Sequence, residues 1–160
     1  MLILTMQASP VSIPMRVWQM AGLCSDSVRQ ATLQHWMMFG VYFTRIFLHK
    51  MKKIKSPLCY GCNLKNEDLN HLLLYCTYYD EIREKYLPQY SSQNCNISDI
   101  LTNEDLIMQM ILDSVSAKLP DTLKNNWVSV KTAYSLSRQF CYSIHGKREK
   151  LYKEVDKWRW

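Results

Sequence analysis

Apolar residues along this chain recur at steps of three and four and rarely alternate, so the pattern predicts helices nearly throughout and no series of strands. Pro14 can sit in the first turn of a helix over roughly residues 15 to 23, because that turn needs no N–H from it. Ser25 and Asp26 are good capping types and lead into a long helix expected to reach about Lys53. Within it Trp36, Phe39, Phe43, Ile46 and Phe47 follow one another at helical spacing and should line one buried face. Gly40 interrupts that face as a close contact or a kink.

Beyond a cysteine-rich stretch, Thr77 to Leu87 reads as a short helix stopped by Pro88, and the polar residues QYSSQNCN, 89 to 96, as a linker. Thr102, with Glu104 and Asp105 behind it, should start a helix through Lys118 that presents Ile107, Met110, Ile111 and Leu112. Pro120 and Asp121 then open a last helix over roughly residues 121 to 157. The expected fold class is therefore mainly α, and the only β structure expected is a small knuckle at Cys59 to Leu64. Two regions are predicted, a helical segment with the cysteine module over residues 1 to 90 and a helical C-terminal region over 97 to 160.

Composition adds limits. At 160 residues the chain can bury a modest core but cannot hold two enzymatic domains, and 48% apolar with 21% charged residues argues against disorder throughout. The start, MLILTMQASP, lacks the basic region of a secretory signal, and Trp36 to Phe43 is about half a membrane span, so an intracellular protein without a membrane partner is expected.

The net charge of +6 is unevenly placed. Residues 1 to 58 carry seven Lys/Arg against one acid and residues 121 to 160 nine against four, whereas residues 59 to 120 hold four against nine. Basic ends around an acidic centre predict surfaces that track a polyanion, most commonly a phosphate backbone. Arg45, Lys50, Lys52, Lys53 and Lys55 place five basic residues in eleven positions without an acid, Lys65 extends the patch, and Tyr60 offers a stacking surface. A second basic segment, GKREKLYKEVDKWRW over 146 to 160, interleaves Tyr152, Trp158 and Trp160 with six Lys/Arg, though its acids suit a solvated helix equally well.

The chemistry concentrates in CYGCNLKNEDLNHLLLYC, residues 59 to 76, spaced C-x2-C-x8-H-x4-C. A C-x2-C turn presents two thiolates to one ion, and a helix following Asn66, Glu67 and Asp68 projects His71 and Cys76 back toward it. Gly61 is expected to supply a backbone angle that other residues resist. Cys59, Cys62, His71 and Cys76 thus form the expected ligand set of one structural zinc, three thiolates and an imidazole that leave no position open for water or a small-molecule substrate. Cys24, Cys95 and Cys141 are scattered singletons, unlike a disulfide framework, a pattern that points to a reducing intracellular compartment, nuclear or cytoplasmic.

SPLCYGCNLKNEDLNHLLLYCTYYDEIREKYL, residues 56 to 87, resembles the zinc-binding segment that follows the reverse transcriptase domain in non-LTR (LINE-type) retrotransposon polyproteins. The matching elements are Cys59, Cys62, Glu67, His71, Leu73, Cys76, Tyr79 and Arg83. Upstream, Gly40, Leu48, His49 and Lys50 are similar to a helical element of that family, while Phe39 and Val41 depart from it; the likeness spans roughly residues 33 to 90. It implies a zinc-binding module from a retroelement polyprotein and, as a partner, a parent or related reverse transcriptase. No Asp-Asp pair for polymerase metals occurs, and Cys24, Cys95 and Cys141 lack a partnered histidine at any recognisable nucleophile spacing.

These features lead to two expectations. The first is a non-catalytic module, a detached or degenerate piece of such a polyprotein, that binds RNA or DNA backbone beside the zinc site. The alternative is a zinc-stabilised helical module for protein contacts, with Trp36, Met37, Met38 and the Met108-Gln109-Met110 segment as contact surfaces if exposed.

Overall fold

A computed structural model describes residues 25–91, 104–113 and 127–156. Its elements are α1 (Ser25–Met38), α2 (Arg45–Lys50), a π-helical turn (His71–Tyr75), a 3-10 turn (Thr77–Tyr79), α3 (Asp80–Ser91), α4 (Glu104–Leu112) and α5 (Trp127–Asp156). The mainly helical class holds; among the described residues β structure is limited to one antiparallel bridge, Leu58 to Asn66, at the base of the knuckle. The expected helix over 15 to 23, residues 92 to 96 of the linker, residues 114 to 118 of the fourth helix and 121 to 126 of the last lie outside the described residues.

The continuous helix expected from Ser25 to Lys53 does not form, because Gly40 ends it. Gly40 adopts a left-handed φ of +67°, its N–H donates to the Met37 carbonyl at 3.2 Å, and the Val41 N–H reaches the Trp36 carbonyl at 3.0 Å. This is a Schellman C-cap, in which a residue without a Cβ turns the chain back and satisfies the last carbonyls. The break resets the helical phase. Trp36, Phe39 and Phe43 are exposed and Ile46 and Phe47 half-buried, so the predicted buried face is corrected to Ala31, Leu33, Gln34 and Met37 on α1, with Tyr42 following.

Helix α2 is short, yet its leading N–H groups are accounted for. Thr44 Oγ1 accepts from the Phe47 N–H, Glu67 Oε1 from that of Arg45, and the Glu67 carbonyl from that of Ile46. The expected stop at Pro88 is also corrected: α3 continues to Ser91 with Pro88 inside it, so Gln89 to Ser91 belong to the helix. Proline deprives the Glu84 carbonyl of its helical donor, but Glu84 is solvent-exposed. Past the proline, buried Tyr90 anchors the helix through a 2.8 Å bond between its hydroxyl and Ser137.

Helix α5 is the pillar of the fold and packs against α1, α3, α4 and the π-helical turn. Most of its buried positions, Tyr134, Ser137, Phe140, Cys141, Ile144, Arg148 and Tyr152, run down one stripe, with Leu136 and Arg138 buried beside it. The stripe joins Leu33, Met37, Leu72, Leu73, Tyr79, Tyr86 and Ile111 in one contiguous core. Gln34, fully buried, crosses from α1 to donate to the Ile111 and Leu112 carbonyls at 3.0 and 3.1 Å, closing the C-terminal end of α4. Met37, Met108 and Met110 are buried in this packing, so among the expected contact surfaces only Trp36 and Gln109 are exposed.

Candidate metal centre

Cys59, Cys62, His71 and Cys76 come together with all their ligand atoms within 4.8 Å of one another. Cys59 and Cys76 Sγ lie 3.5 Å apart, and His71 Nε2 is 3.3 Å from Cys62 Sγ. A tetrahedral ion with bonds of about 2.0 to 2.3 Å requires ligand atoms separated by little more than these distances. The four residues therefore fit one metal ion, and three soft thiolates with an imidazole saturate it.

Local backbone geometry explains why this spacing converges. The Cys59 N–H donates to the Lys65 carbonyl and the Glu67 N–H to the Pro57 carbonyl, both near 2.9 Å or shorter, folding residues 57 to 67 into a hairpin-like knuckle. Asp68 Oδ1 then accepts the His71 N–H at 2.7 Å, starting the helical turn. That turn is widened: the Cys76 N–H reaches five residues back to the His71 carbonyl at 2.8 Å, so the two ligands flank one π-type turn. Leu72 and Leu73 between them are fully buried toward α5.

Gly61 works differently from expectation. It does not hold a positive φ; Asn63 does, at 55°. A Cβ at Gly61 would instead meet Tyr78 Cβ at 2.7 Å and Cγ at 3.0 Å, atoms too close to the Tyr78 backbone to swing away. Gly61→Ala should therefore push the knuckle off the 3-10 turn, at a cost of about 1 to 3 kcal/mol. Competition with a chromogenic chelator checks it, with metal lost at lower chelator concentration than from the unaltered protein.

The thiols are prepared for a cation. Cys59 is pulled down to about 5, first by its hydrogen bond with Cys76, in which either sulfur can donate, and then, against the opposing effect of burial, by the Cys62 and Gly61 backbone. Cys76 is pushed well up by the same bond and by burial. The pair shares one proton, which a metal ion would displace.

Around the ligands, two members of the sequence pattern take clear structural parts. Tyr79 is fully buried, and Arg83 donates to the Cys76 and Leu73 carbonyls and to Asp80 Oδ1. Arg83 thereby closes the open carbonyl end of the ligand turn. Cys141, away from the site, is a buried core thiol pushed up to about 12 by burial.

Glu67 is the residue whose part the sequence understated. It is fully buried. Its Oε1 accepts from Arg148 Nε at 3.0 Å, Arg148 NH2 at 2.7 Å and the Arg45 N–H at 3.1 Å, and the Tyr152 hydroxyl reaches Oε2 at 3.0 Å. Arg148 also donates to the Phe43 carbonyl and lies within 3.4 Å of the Tyr42 hydroxyl, which in turn meets His145 Nδ1 at 3.0 Å. Burial alone would lower the Arg148 pKa, but Tyr42, Glu67 and Tyr152 outweigh it and hold the guanidinium above its ordinary value. One ion pair thus joins knuckle, α2 and α5.

The predicted basic patch divides. Lys50, Lys52, Lys53, Lys55 and Lys65 are exposed beside the knuckle. Arg45 is not part of that surface: it is buried, its guanidinium carbon 3.6 Å from the Tyr60 ring centroid while NH2 donates to the Ser56 carbonyl. Tyr60, half-buried, has that face covered and packs its ring 5.1 Å from Tyr152. In the second basic segment Arg148 and Tyr152 are internal, Lys147 bonds Glu81 and Lys153 bonds Glu149, while Trp158 and Trp160 lie outside the described residues. No helix among the described residues is long and apolar enough to cross a membrane. Compared with models of known families, with curated proteins and with solved structures, the chain matches none.

Proposed function

We propose that the chain is a non-catalytic nucleic-acid-binding module whose knuckle is closed by one structural zinc ion on Cys59, Cys62, His71 and Cys76. The donor set favours zinc over harder cations, which prefer oxygen, and four protein ligands give the ion a part in the fold and none in turnover. The observation that carries the binding reading is the set of exposed lysines, Lys50, Lys52, Lys53, Lys55 and Lys65, on a stretch from residue 27 to 66 without a single Asp or Glu. These charges stand on chain pinned by Glu67 and by the metal knuckle, so contact with phosphates immobilises less than it would in a loose tail. The resemblance to a retroelement zinc segment agrees with this reading and makes a related reverse transcriptase a fitting neighbour.

Changing Lys52, Lys53 and Lys55 together to Gln is expected to weaken all sequences alike. It should flatten the logarithmic salt dependence by about two to three units, at about 0.9 per phosphate on duplex DNA and about 0.7 on a single strand. Anisotropy titrations over a range of salt measure this. Unchanged affinity and slope would reject the patch.

The competing reading, a protein-docking module, is favoured by a different surface: Trp36, Phe39, Val41 and Phe43, each 40% exposed or more around the Gly40 turn. Docking through that surface should hardly respond to salt.

A further inference from the structure

Two clefts lie beside the base of the knuckle, and Leu58 lines both. One, of about 420 Å³, is lined by Lys55, Leu58, Tyr60 and Asn63 together with the largely buried Arg45 and others, and contains no acidic residue. The other, of about 580 Å³, is lined by Leu58, Leu64, Lys65, Asn66, Asn70 and Tyr75 among others. Its lining carries one carboxylate, Asp68, whose Oδ1 accepts the His71 N–H, and Glu104 bonds the Tyr75 side chain at its edge. Both volumes lie in the range of small-ligand sites, about 300 to 1,000 Å³. Leu58 is 42% and Leu64 79% exposed, so apolar side chains stand open to solvent beside Lys55 and Lys65.

Resting on the nucleic-acid reading above, we propose that these clefts take unstacked bases of a single strand, on either side of Leu58, while Lys55 and Lys65 hold the phosphates. The chemistry distinguishes a single strand from a duplex. A duplex hides base faces in its stack and presents a phosphate surface to which exposed leucines add nothing. A single strand offers apolar base faces to Leu58, Leu64 and the Tyr75 ring, and free base edges to the amides of Asn63, Asn66 and Asn70, which both donate and accept. Phosphates spaced along the strand match Lys55 in one cleft and Lys65 in the other, whereas a neutral apolar partner would leave them without a counter-charge.

The test uses the zinc-loaded protein and a fluorescein-labelled strand of about 12 nucleotides of mixed sequence, within the span of single-strand sites. The strand is made as DNA and as RNA, and each is titrated free and annealed to its complement at one ionic strength. The single strand is expected to bind at least about tenfold tighter than its duplex, the equivalent of one stacked base. In the variant Leu58→Ala/Leu64→Ala that ratio should fall toward one, with metal content and helical circular dichroism confirming that the surface change leaves the fold in place. The DNA and RNA arms tell which sugar the clefts accept. Equal binding of strand and duplex, or a ratio untouched by the double change, overturns the single-strand assignment and leaves the lysine patch standing. Binding of neither form overturns the nucleic-acid reading itself.

Discussion

Native mass spectrometry of the purified chain should show one zinc per molecule, and removing that zinc should release residues 56 to 87 from the fold. What the segment buries, Leu72, Leu73, Tyr79 and Tyr86, belongs to the core it shares with the long helices, and the ligands Cys59 and Cys76 are fully buried members of the same cluster. Structural zinc contributes roughly 10 to 16 kcal/mol of apparent binding free energy near neutral pH, more than most domains have in total stability. Chelation, or Cys76→Ser, should therefore raise amide exchange across the knuckle and the π-helical turn by orders of magnitude. The loss should spread to the last turns of α5, because Arg148 and Tyr152 reach Glu67 from there. Packing of Gln34, Ile111, Phe140 and Ile144 should keep the other end of the helical assembly protected. Acid should mimic the chelator: the metal-free Cys59–Cys76 pair holds a proton that zinc must displace, so zinc affinity falls as pH falls. A native mass without metal, or exchange in residues 56 to 87 indifferent to chelation, would reject the site.

What was legible in the sequence follows from how locally each feature is encoded. The four ligands lie within eighteen positions, and a tetrahedral ion tolerates few arrangements of Cys and His, so spacing alone brought the right residues together. The helical class was equally legible, since apolar residues at steps of three and four recur in every described helix but α2. The phase across Gly40 was not. Residue types on both sides continue the same periodicity, and only the left-handed glycine tells that Trp36, Phe39 and Phe43 end outside. Arg148 left a partial signal, because it falls on the stripe of Ile144 and Tyr152 where a lone solvated charge does not belong. Its partner could not be read: Glu67 stands 81 residues away in an irregular knuckle without a period of its own. Arg45 was misread for a related reason, as a run of basic residues does not reveal which of them stacks on a neighbouring tyrosine.

That buried pair carries the second large expected effect. Glu67→Ala at saturating zinc should destabilise the protein by about 3 to 5 kcal/mol, the usual consequence of leaving one member of a buried ion pair without its partner. For a chain of this size that lowers Tm by roughly 6 to 20 °C. The side chains of Glu67 and Arg148 are 1% and 4% exposed, so water cannot take over either role. Removing the carboxylate also strips the Arg45 N–H and the Tyr152 hydroxyl of an acceptor. Glu67→Gln keeps an acceptor without the charge and should fall between Ala and the unaltered protein. Arg148→Ala should come close to Glu67→Ala, because it strands the carboxylate and leaves the Phe43 carbonyl without its donor. Combining Glu67→Ala with Arg148→Ala should then cost less than the sum of the two, since the charge each single change strands is gone, with a coupling of about 0.5 to 3 kcal/mol. Thermal unfolding followed by circular dichroism, with zinc content measured for every variant, separates this coupling from loss of metal. Two small, additive effects would mean that the knuckle and α5 are held together by apolar packing alone; strong coupling at full metal occupancy means that the ion pair fixes how the terminal helix seats on the metal module.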